Sequence, residues 1–318
     1  MRRHVPDPQR RARAARLSDR DPIAPLLAGF AARQPVRTGS LVITVFGDAV
    51  LPRGGEVLLA DLIALLASFS LNDSQVRTAL SRLVADGWLE AERLGRRSLY
   101  RPTETGRHRF AEATRRIYGG PPPDWQGDWH VVVLPAGAER GELGKDLGWL
   151  GFGSLSPGVM LHPTPDEASL ASVIADLPEA ARPLVIAGTT ALPAPPALLP
   201  ALVQRCWDLA ALAGAYRGFL AAFAPLGDAL AGGFAPAPLP ALLARLLLIH
   251  DYRRLILRDP MLPPALLPPD WIGREAYAAA RRLYRALAPA AERWIDDHLY
   301  GRDGPLPAPG AAFRRRFP

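Results

Sequence analysis

Hydroxyl and guanidinium side chains are concentrated at residues 74–97, and their spacing suits contact with a nucleic acid. If residues 74–85 form a helix, one apolar face holds Val76, Ala79, Leu80, Leu83 and Val84. The opposite face holds Ser74, Arg77, Thr78, Ser81 and Arg82. Such groups bond both phosphate oxygens and base edges in a DNA major groove. The pattern therefore predicts a DNA-contacting helix.

A basic hairpin is predicted directly after this helix. Gly87 stands where the helix should stop, and residues 88–91 begin a short strand. Residues 98–101 return as the partner strand. The turn between the strands carries Arg93, Arg96 and Arg97. Such a hairpin would reach the DNA backbone or the minor groove, although the same arginines could merely be solvated on an exposed turn.

Two apolar segments upstream predict the helices that would support the DNA-contacting helix and the hairpin. Residues 58–69 include a run with helical periodicity at 61–66. Residues 41–46 are mostly β-branched and alone resemble a strand, yet we assign them to a first helix that covers the other two. Asn72 or Asp73 is expected to cap the DNA-contacting helix. Three helices and a hairpin predict a winged helix-turn-helix.

Charge is distributed unevenly along the chain. The formal charge of the 318 residues is +7. Residues 1–120 hold 20 basic and 12 acidic side chains, a net of +8, whereas residues 121–318 hold 18 and 19, a net of −1. The excess positive charge thus lies on the predicted DNA-binding third, as expected of a module that displaces counterions from phosphates.

Several sequence blocks together resemble the PaaX family of bacterial transcriptional repressors. They are SLVITVFGD (40–48), VRTALSRL (76–83), GWL (87–89), GRRSLY (95–100), TETG (103–106), LGWLGFG (147–153), SPG (156–158), DPMLPP (259–264) and LPPDWIG (267–273). The resemblance spans roughly residues 37–300. It implies a repressor that binds a double-stranded operator as a homodimer and is released by an acyl-coenzyme A, phenylacetyl-coenzyme A in the namesake members. Related repressors could answer to other thioesters.

The predicted fold class is α+β, with three domains between two terminal segments. Residues 1–36 form a basic mobile arm with a short helix near 23–32, 37–120 the winged helix-turn-helix, 124–192 a middle domain, 201–300 a helical domain and 301–318 a tail. The run GGPPP at 119–123 and a proline-rich stretch at 192–200 separate the domains. The arm could enter a minor groove or remain a solvated tail.

The middle domain is predicted to be a small ferredoxin-like α/β unit. Strands at 129–134, 158–161 and 183–187 alternate with helices at 142–150 and 170–177. The resemblance implies likeness to the ferredoxin-like CRISPR-associated nuclease fold, which raises a metal-dependent nuclease as the alternative function. A hard cation needs converging carboxylates, and Asp128 precedes the first strand instead of following it. We expect a structural and dimerisation module.

No catalytic, metal or cofactor site is expected. The six histidines show no ligand spacing, and Cys206 is the only cysteine. Nothing in the sequence brings Cys206 and His250 together as a nucleophilic pair. The start of the chain lacks the apolar run of a secretory signal, and residues 242–249 are too short to span a bilayer. We expect a soluble, cytoplasmic, nucleoid-associated protein with no membrane partner.

The C-terminal domain is predicted to be a helical bundle that serves as the effector or dimer domain. Its helices are expected at 206–223, 239–257 and 274–299. Aromatic and polar groups of the kind used in small-ligand sites are Tyr216, Arg217, Tyr252, Arg253, Arg254 and Arg258, together with Trp207 and His250. Each could instead be a packing or surface residue, and the bundle could bind another protein instead of a metabolite.

Overall fold

The computed structural model describes residues 21–33, 37–120, 122, 124–136, 141–190 and 198–318. They divide into two compact units. The first contains the described residues up to Gly119 together with Phe219–Arg253 and Tyr277–Pro318, and the second contains those of 120–218 together with Arg254–Ala276. The expected C-terminal domain is therefore shared between the units. Most of the predicted mobile arm lies outside the described residues.

The N-terminal part of the first unit consists of five helices and a small sheet. In chain order its elements are α1 (Ala24–Ala31), α2 (Thr38–Val45), a π-helical turn (Phe46–Val50), a 3-10 turn (Leu51–Arg53), β1 (Val57–Leu58), α3 (Leu59–Ala67), α4 (Asp73–Ala85), β2 (Leu89–Leu94), β3 (Arg97–Pro102) and α5 (Glu104–Tyr118). The predicted first helix is confirmed. Leu41, Val45 and Phe46 are fully buried, so tertiary packing outweighs their β-propensity.

Both ends of α4 are fixed by local hydrogen bonds. Asn72 Oδ1 accepts from the Gln75 amide, and Gln75 Oε1 accepts from the Asn72 amide, each at 2.9 Å. This capping box satisfies amides of the first turn. Gly87, with φ +69°, donates to the Val84 carbonyl, while the Trp88 amide bonds Leu83. That pair of bonds is a Schellman motif, which confirms the predicted start and stop of the helix.

Two details of this region differ from the sequence-based prediction. Val84 is 37% exposed instead of buried, because eight residues after Val76 the helix has rotated by about 80° from the buried face. The hairpin turn is also tighter than expected. Strand pairing continues from Arg93↔Ser98 to Leu94↔Arg97, so only Gly95 and Arg96 form the turn. The strands of this antiparallel sheet lie in the order β1-β3-β2.

The second unit contains a four-stranded antiparallel sheet. Its elements are β4 (Asp128–Val133), α6 (Glu142–Trp149), β5 (Gly153–Ser156), β6 (Val159–His162), α7 (Glu167–Ala175), β7 (Leu184–Thr189) and α8 (Leu198–Cys206). The strand order is β5-β6-β4-β7. The sequence predicted three strands and missed β5, a short segment without an apolar run that pairs with β6 across a turn containing Gly158 at φ +76°. The predicted mixed helix-and-sheet class is confirmed.

Long helices complete the described chain. They are α9 (Leu209–Ala231), α10 (Pro238–Ile256), α11 (Gly273–His298) and the short α12 (Ala311–Arg314). The helix predicted at 206–223 is broken at Trp207, whose Nε1 donates to the Gly151 carbonyl at 2.9 Å. The next residue, Asp208, accepts the Ala211 amide through its side chain and so begins α9.

One helix of the described chain is long and apolar enough to cross a bilayer by length and composition. It is α9, in which an 18-residue stretch has a mean hydropathy of 1.4 and is 33% buried. Core helices of water-soluble proteins can meet the same criteria.

A buried polar cluster joins distant segments inside the first unit. Asp48 Oδ1 accepts hydrogen bonds from the hydroxyls of Tyr118 at 2.8 Å and Tyr284 at 2.9 Å. Arg316 contacts the same oxygen at 3.0 Å, and Arg245 lies 2.8 Å from Oδ2. Burial raises the pKa of both tyrosine hydroxyls above their ordinary value. Residues near the end of the predicted tail are therefore part of the core.

Candidate nucleic-acid interface

The outward face of α4 presents the residues expected to contact DNA. Val76, Ala79, Leu80 and Leu83 form the buried face of this helix. The polar residues predicted on its opposite face are all exposed, namely Ser74, Arg77, Thr78, Ser81 and Arg82. The 3.6-residue repeat thus separates a core-facing stripe from a polar surface. The structure places these five side chains on one continuous helix surface.

Arg77 has one intramolecular partner on this surface. Its Nε lies 2.7 Å from Asp73 Oδ1, one helical turn earlier, and both side chains are more than half exposed. Ion pairs of this type contribute only about 0.3–0.5 kcal/mol. A phosphate or base edge could therefore compete for the guanidinium at little cost.

The hairpin carries three exposed arginines on or beside its turn. These residues are Arg93, Arg96 and Arg97. Arg93 Nε donates to the Gly95 carbonyl at 3.3 Å, across the turn. The acidic residues of the same strand have other partners, since Glu90 pairs with Arg101 and Glu92 with Arg302. Because these carboxylates are neutralised within the protein, the turn keeps a positive surface.

The junction between α4, the hairpin and α5 is tightly packed. Thr103 Oγ1 donates to the Gly87 carbonyl at 2.6 Å and accepts the Gly106 amide at 2.9 Å. A Cβ atom at Gly106 would lie 2.1 Å from the Trp88 carbonyl oxygen. The Arg109 guanidinium lies 5.1 Å from the centre of the Trp88 ring. These contacts account for Thr103 and Gly106 and hold the start of α5 against the connection between α4 and β2.

The six residues proposed for effector binding are not collected in one unit. Tyr252 and Arg253 belong to the first unit, whereas Tyr216, Arg217, Arg254 and Arg258 belong to the second. Tyr216 is 1% exposed, and its hydroxyl donates to Asp259 Oδ2 at 2.7 Å. Tyr252 is equally buried and packs against Phe219 and Phe317. Both tyrosines therefore have packing roles.

A groove of about 600 Å³ within the second unit contains one of the proposed effector residues. Arg217 lines it together with Arg205, Trp207 and Trp271. Aromatic faces beside guanidinium groups could hold a ligand that has both ring and anionic parts. The sequence named Arg217 and Trp207 but not Trp271, because Trp271 lies in a distant proline-rich segment.

Asp128 and Cys206 are the residues that the sequence offered for metal or nucleophile chemistry. Within the described ranges, no three His, Cys, Asp or Glu side chains are arranged to hold a metal ion. Asp128, the residue considered for a nuclease site, accepts a hydrogen bond from Thr189 Oγ1 at 2.8 Å. Burial raises the pKa of the Cys206 thiol, which disfavours the reactive thiolate.

Family models and known proteins match most of the chain. The family model described as "PaaX-like protein" matches residues 37–106, "PaaX protein central Cas2-like domain" matches 122–198, and "PaaX-like protein C-terminal domain" matches 207–297. The curated "Transcriptional repressor PaaX" of Escherichia coli (strain K12) is 36% identical over 287 residues, which cover 89% of this chain and 90% of that protein. A solved structure, "Uncharacterized protein Rv0674 from Mycobacterium tuberculosis", is 26% identical, covers 74% of this chain and 89% of its own, and superposes with a TM-score of 0.46.

Proposed function

Because the chain belongs to the PaaX family of transcriptional repressors, we propose that it represses transcription by binding operator DNA as a homodimer in the cytoplasm. Helices α2, α3 and α4 with the β2–β3 hairpin would form a winged helix-turn-helix. The observation that carries this proposal is the exposed polar face of α4 beside the arginine-bearing turn. The net charge of +8 on residues 1–120 supports it.

The two basic surfaces would have different tasks. Base edges in the major groove would be contacted from α4 by Arg77, Thr78, Ser81 and Arg82, with Ser74 at the start of the helix. Phosphates or the minor groove would be contacted from the hairpin by Arg93, Arg96 and Arg97. Contacts of the first kind discriminate between sequences, whereas contacts of the second kind strengthen binding to any duplex.

Release would depend on a small acyl thioester. Family membership supports an acyl-coenzyme A such as phenylacetyl-coenzyme A as the effector. The groove beside Arg217, Trp207 and Trp271 in the second unit offers guanidinium and aromatic groups for such a ligand. A ligand that binds the DNA-free form more tightly than the DNA-bound form would shift the protein away from its operator.

A binding competition tests the DNA part of this proposal. Fluorescence anisotropy would follow a labelled duplex from upstream of the protein's own gene, in EDTA, with unlabelled shuffled duplex as competitor. Specific binders prefer their site by about 10³-fold or more. We expect that preference, with two protein chains bound per site. Equal affinity for both duplexes would contradict operator recognition.

A further inference from the structure

A groove of about 660 Å³ lies in the first unit, alongside the face of α4 described above. Ser74, Thr78 and Arg82 line one side at four-residue intervals. The other side consists of Arg37 and Ser40, at the start of α2, with Arg253 from α10. Three lining residues are arginines, and one, Asp86, is acidic. The groove is therefore basic and bordered by hydroxyl groups.

Arg253 is fixed in position at this groove. Its Nη2 donates to the Ser40 carbonyl oxygen at 3.0 Å and also to the Ser40 hydroxyl. The side chain is half-buried, whereas Arg37 and Arg82 are exposed. A positioned guanidinium beside an adaptable one such as Arg37 can hold a tetrahedral anion with several charge-assisted hydrogen bonds. The positive end of the α2 dipole at Thr38 and Gly39 adds to the same potential.

We propose that this groove binds one backbone phosphate of the operator, held by Arg37 and Arg253, while Arg82 on the α4 side keeps the base contact assigned to it above. The inference rests on the DNA-binding function proposed above and adds a contact from α10, outside the N-terminal region. A phosphate at this position would lie at the edge of the major groove that α4 enters. Phosphate contacts of this kind fix the register of a helix in the groove. Arg253 would thus act on DNA instead of on the effector.

Neutralising individual DNA phosphates tests the assignment directly. Duplexes carrying one methylphosphonate at each successive position would be titrated with the wild type, Arg37→Gln and Arg253→Gln. Each variant should bind unmodified DNA about ten-fold more weakly, with a salt slope smaller by about 0.9. At one position per half-site, the methylphosphonate should weaken wild-type binding and abolish the difference between the wild type and both variants.

Two controls separate this contact from other effects. Arg293→Gln removes the same charge from an exposed position of α11 and should change affinity less than two-fold. Arg253→Lys is a variant that keeps the positive charge at this position. The melting temperature of every variant is measured to identify loss of folding. The inference would be overturned if the variants lose affinity but no methylphosphonate position abolishes their difference from the wild type. The arginines would then act only through α2.

The remaining outcomes distinguish failure of this inference from failure of the proposed DNA-binding function. If the wild type prefers its operator while Arg37→Gln and Arg253→Gln behave like Arg293→Gln, the inference is wrong and operator binding stands. If the wild type shows no preference for the operator, both fail. If the variants bind DNA normally but lose thermal stabilisation by phenylacetyl-coenzyme A, the groove holds an effector phosphate, and the DNA assignment is wrong.

Discussion

Thr44 Oγ1 lies 3.1 Å from His250 Nδ1 inside the first unit. Three contacts of this kind join α10 to α2 and the π-helical turn that follows α2, and this one is in the middle. Ser40 is bonded by Arg253 one turn earlier, and Asp48 is paired with Arg245 one turn later. Each contact joins a polar group of α2 or its extension to one of α10, so the three together set the register of α2 on α10. Since α2 also contacts α4, the position of the proposed DNA-reading helix depends on α10.

Loss of the Asp48 charge should destabilise the protein strongly. Asp48→Asn would leave the buried guanidinium groups of Arg245 and Arg316 without their shared counterion. Breaking a buried ion pair by removing one partner costs about 3–5 kcal/mol. Urea denaturation followed by circular dichroism measures the change. Asp228→Asn, at an exposed position of α9, should stay within about 0.5 kcal/mol of the wild type, and equal stability of both variants would contradict the role of the cluster.

The stability of the first unit should fall in alkaline solution. Burial raises the folded-state pKa of Tyr118 and Tyr284 above the ordinary tyrosine value of 10.0, so above that pH the unfolded chain loses these protons first. Their stabilising contribution is present below about pH 10 and declines as the pH rises further. Denaturation at pH 8, 10 and 11 would show the decline. Tyr118→Phe should make it shallower, and an unchanged slope would be inconsistent with this explanation.

A methyl group at Gly106 should disturb the hairpin junction. Gly106→Ala would bring Cβ to 2.1 Å from the Trp88 carbonyl oxygen, so backbone must move, at about 1–3 kcal/mol. We expect a lower urea midpoint and weaker DNA binding. Gly29→Ala, on α1 where the added Cβ would have no atom within 4 Å apart from the backbone of its own helix, should leave stability unchanged or raise it slightly. Similar midpoints for both variants would argue against a required close approach.

The α4 face and the hairpin should differ in their effect on specificity. Arg77→Ala should weaken operator binding by about 1–3 kcal/mol and random-duplex binding less, because it removes a base contact. Arg96→Ala should weaken both equally and reduce the salt slope by about 1. Titrations against both duplexes at several salt concentrations measure these quantities. An equal loss on operator and random DNA for Arg77→Ala would remove its role in base recognition.

Local signals in the sequence predicted α4 and its ends correctly. Asn72 and Gly87 act within a few residues of the helix, and the apolar period marks its buried face apart from Val84, so neighbouring residues suffice. The tight turn was only partly predicted, because the chemistry of Gly95 does not reveal how far strand pairing extends. The short strand β5 was missed because its residues have no pattern without their partner in β6.

Contacts between distant residues could not be derived from the sequence. Asp48 meets Tyr284 and Arg316 across 236 and 268 positions, and no local period encodes such an encounter. The same limit applies to Arg253, whose type suggested an anionic ligand. Only the folded chain places it against Ser40, at the groove beside α4.

The most direct test of the account is a gel-shift titration with DNA from upstream of the protein's own gene, without added metal, in the presence and absence of phenylacetyl-coenzyme A. We predict a specific shift that shuffled competitor does not remove and that the thioester releases. A specific shift that persists with the thioester would contradict the proposal that phenylacetyl-coenzyme A is the effector. If no specific shift is seen, the proposal that this chain is an operator-binding repressor is wrong.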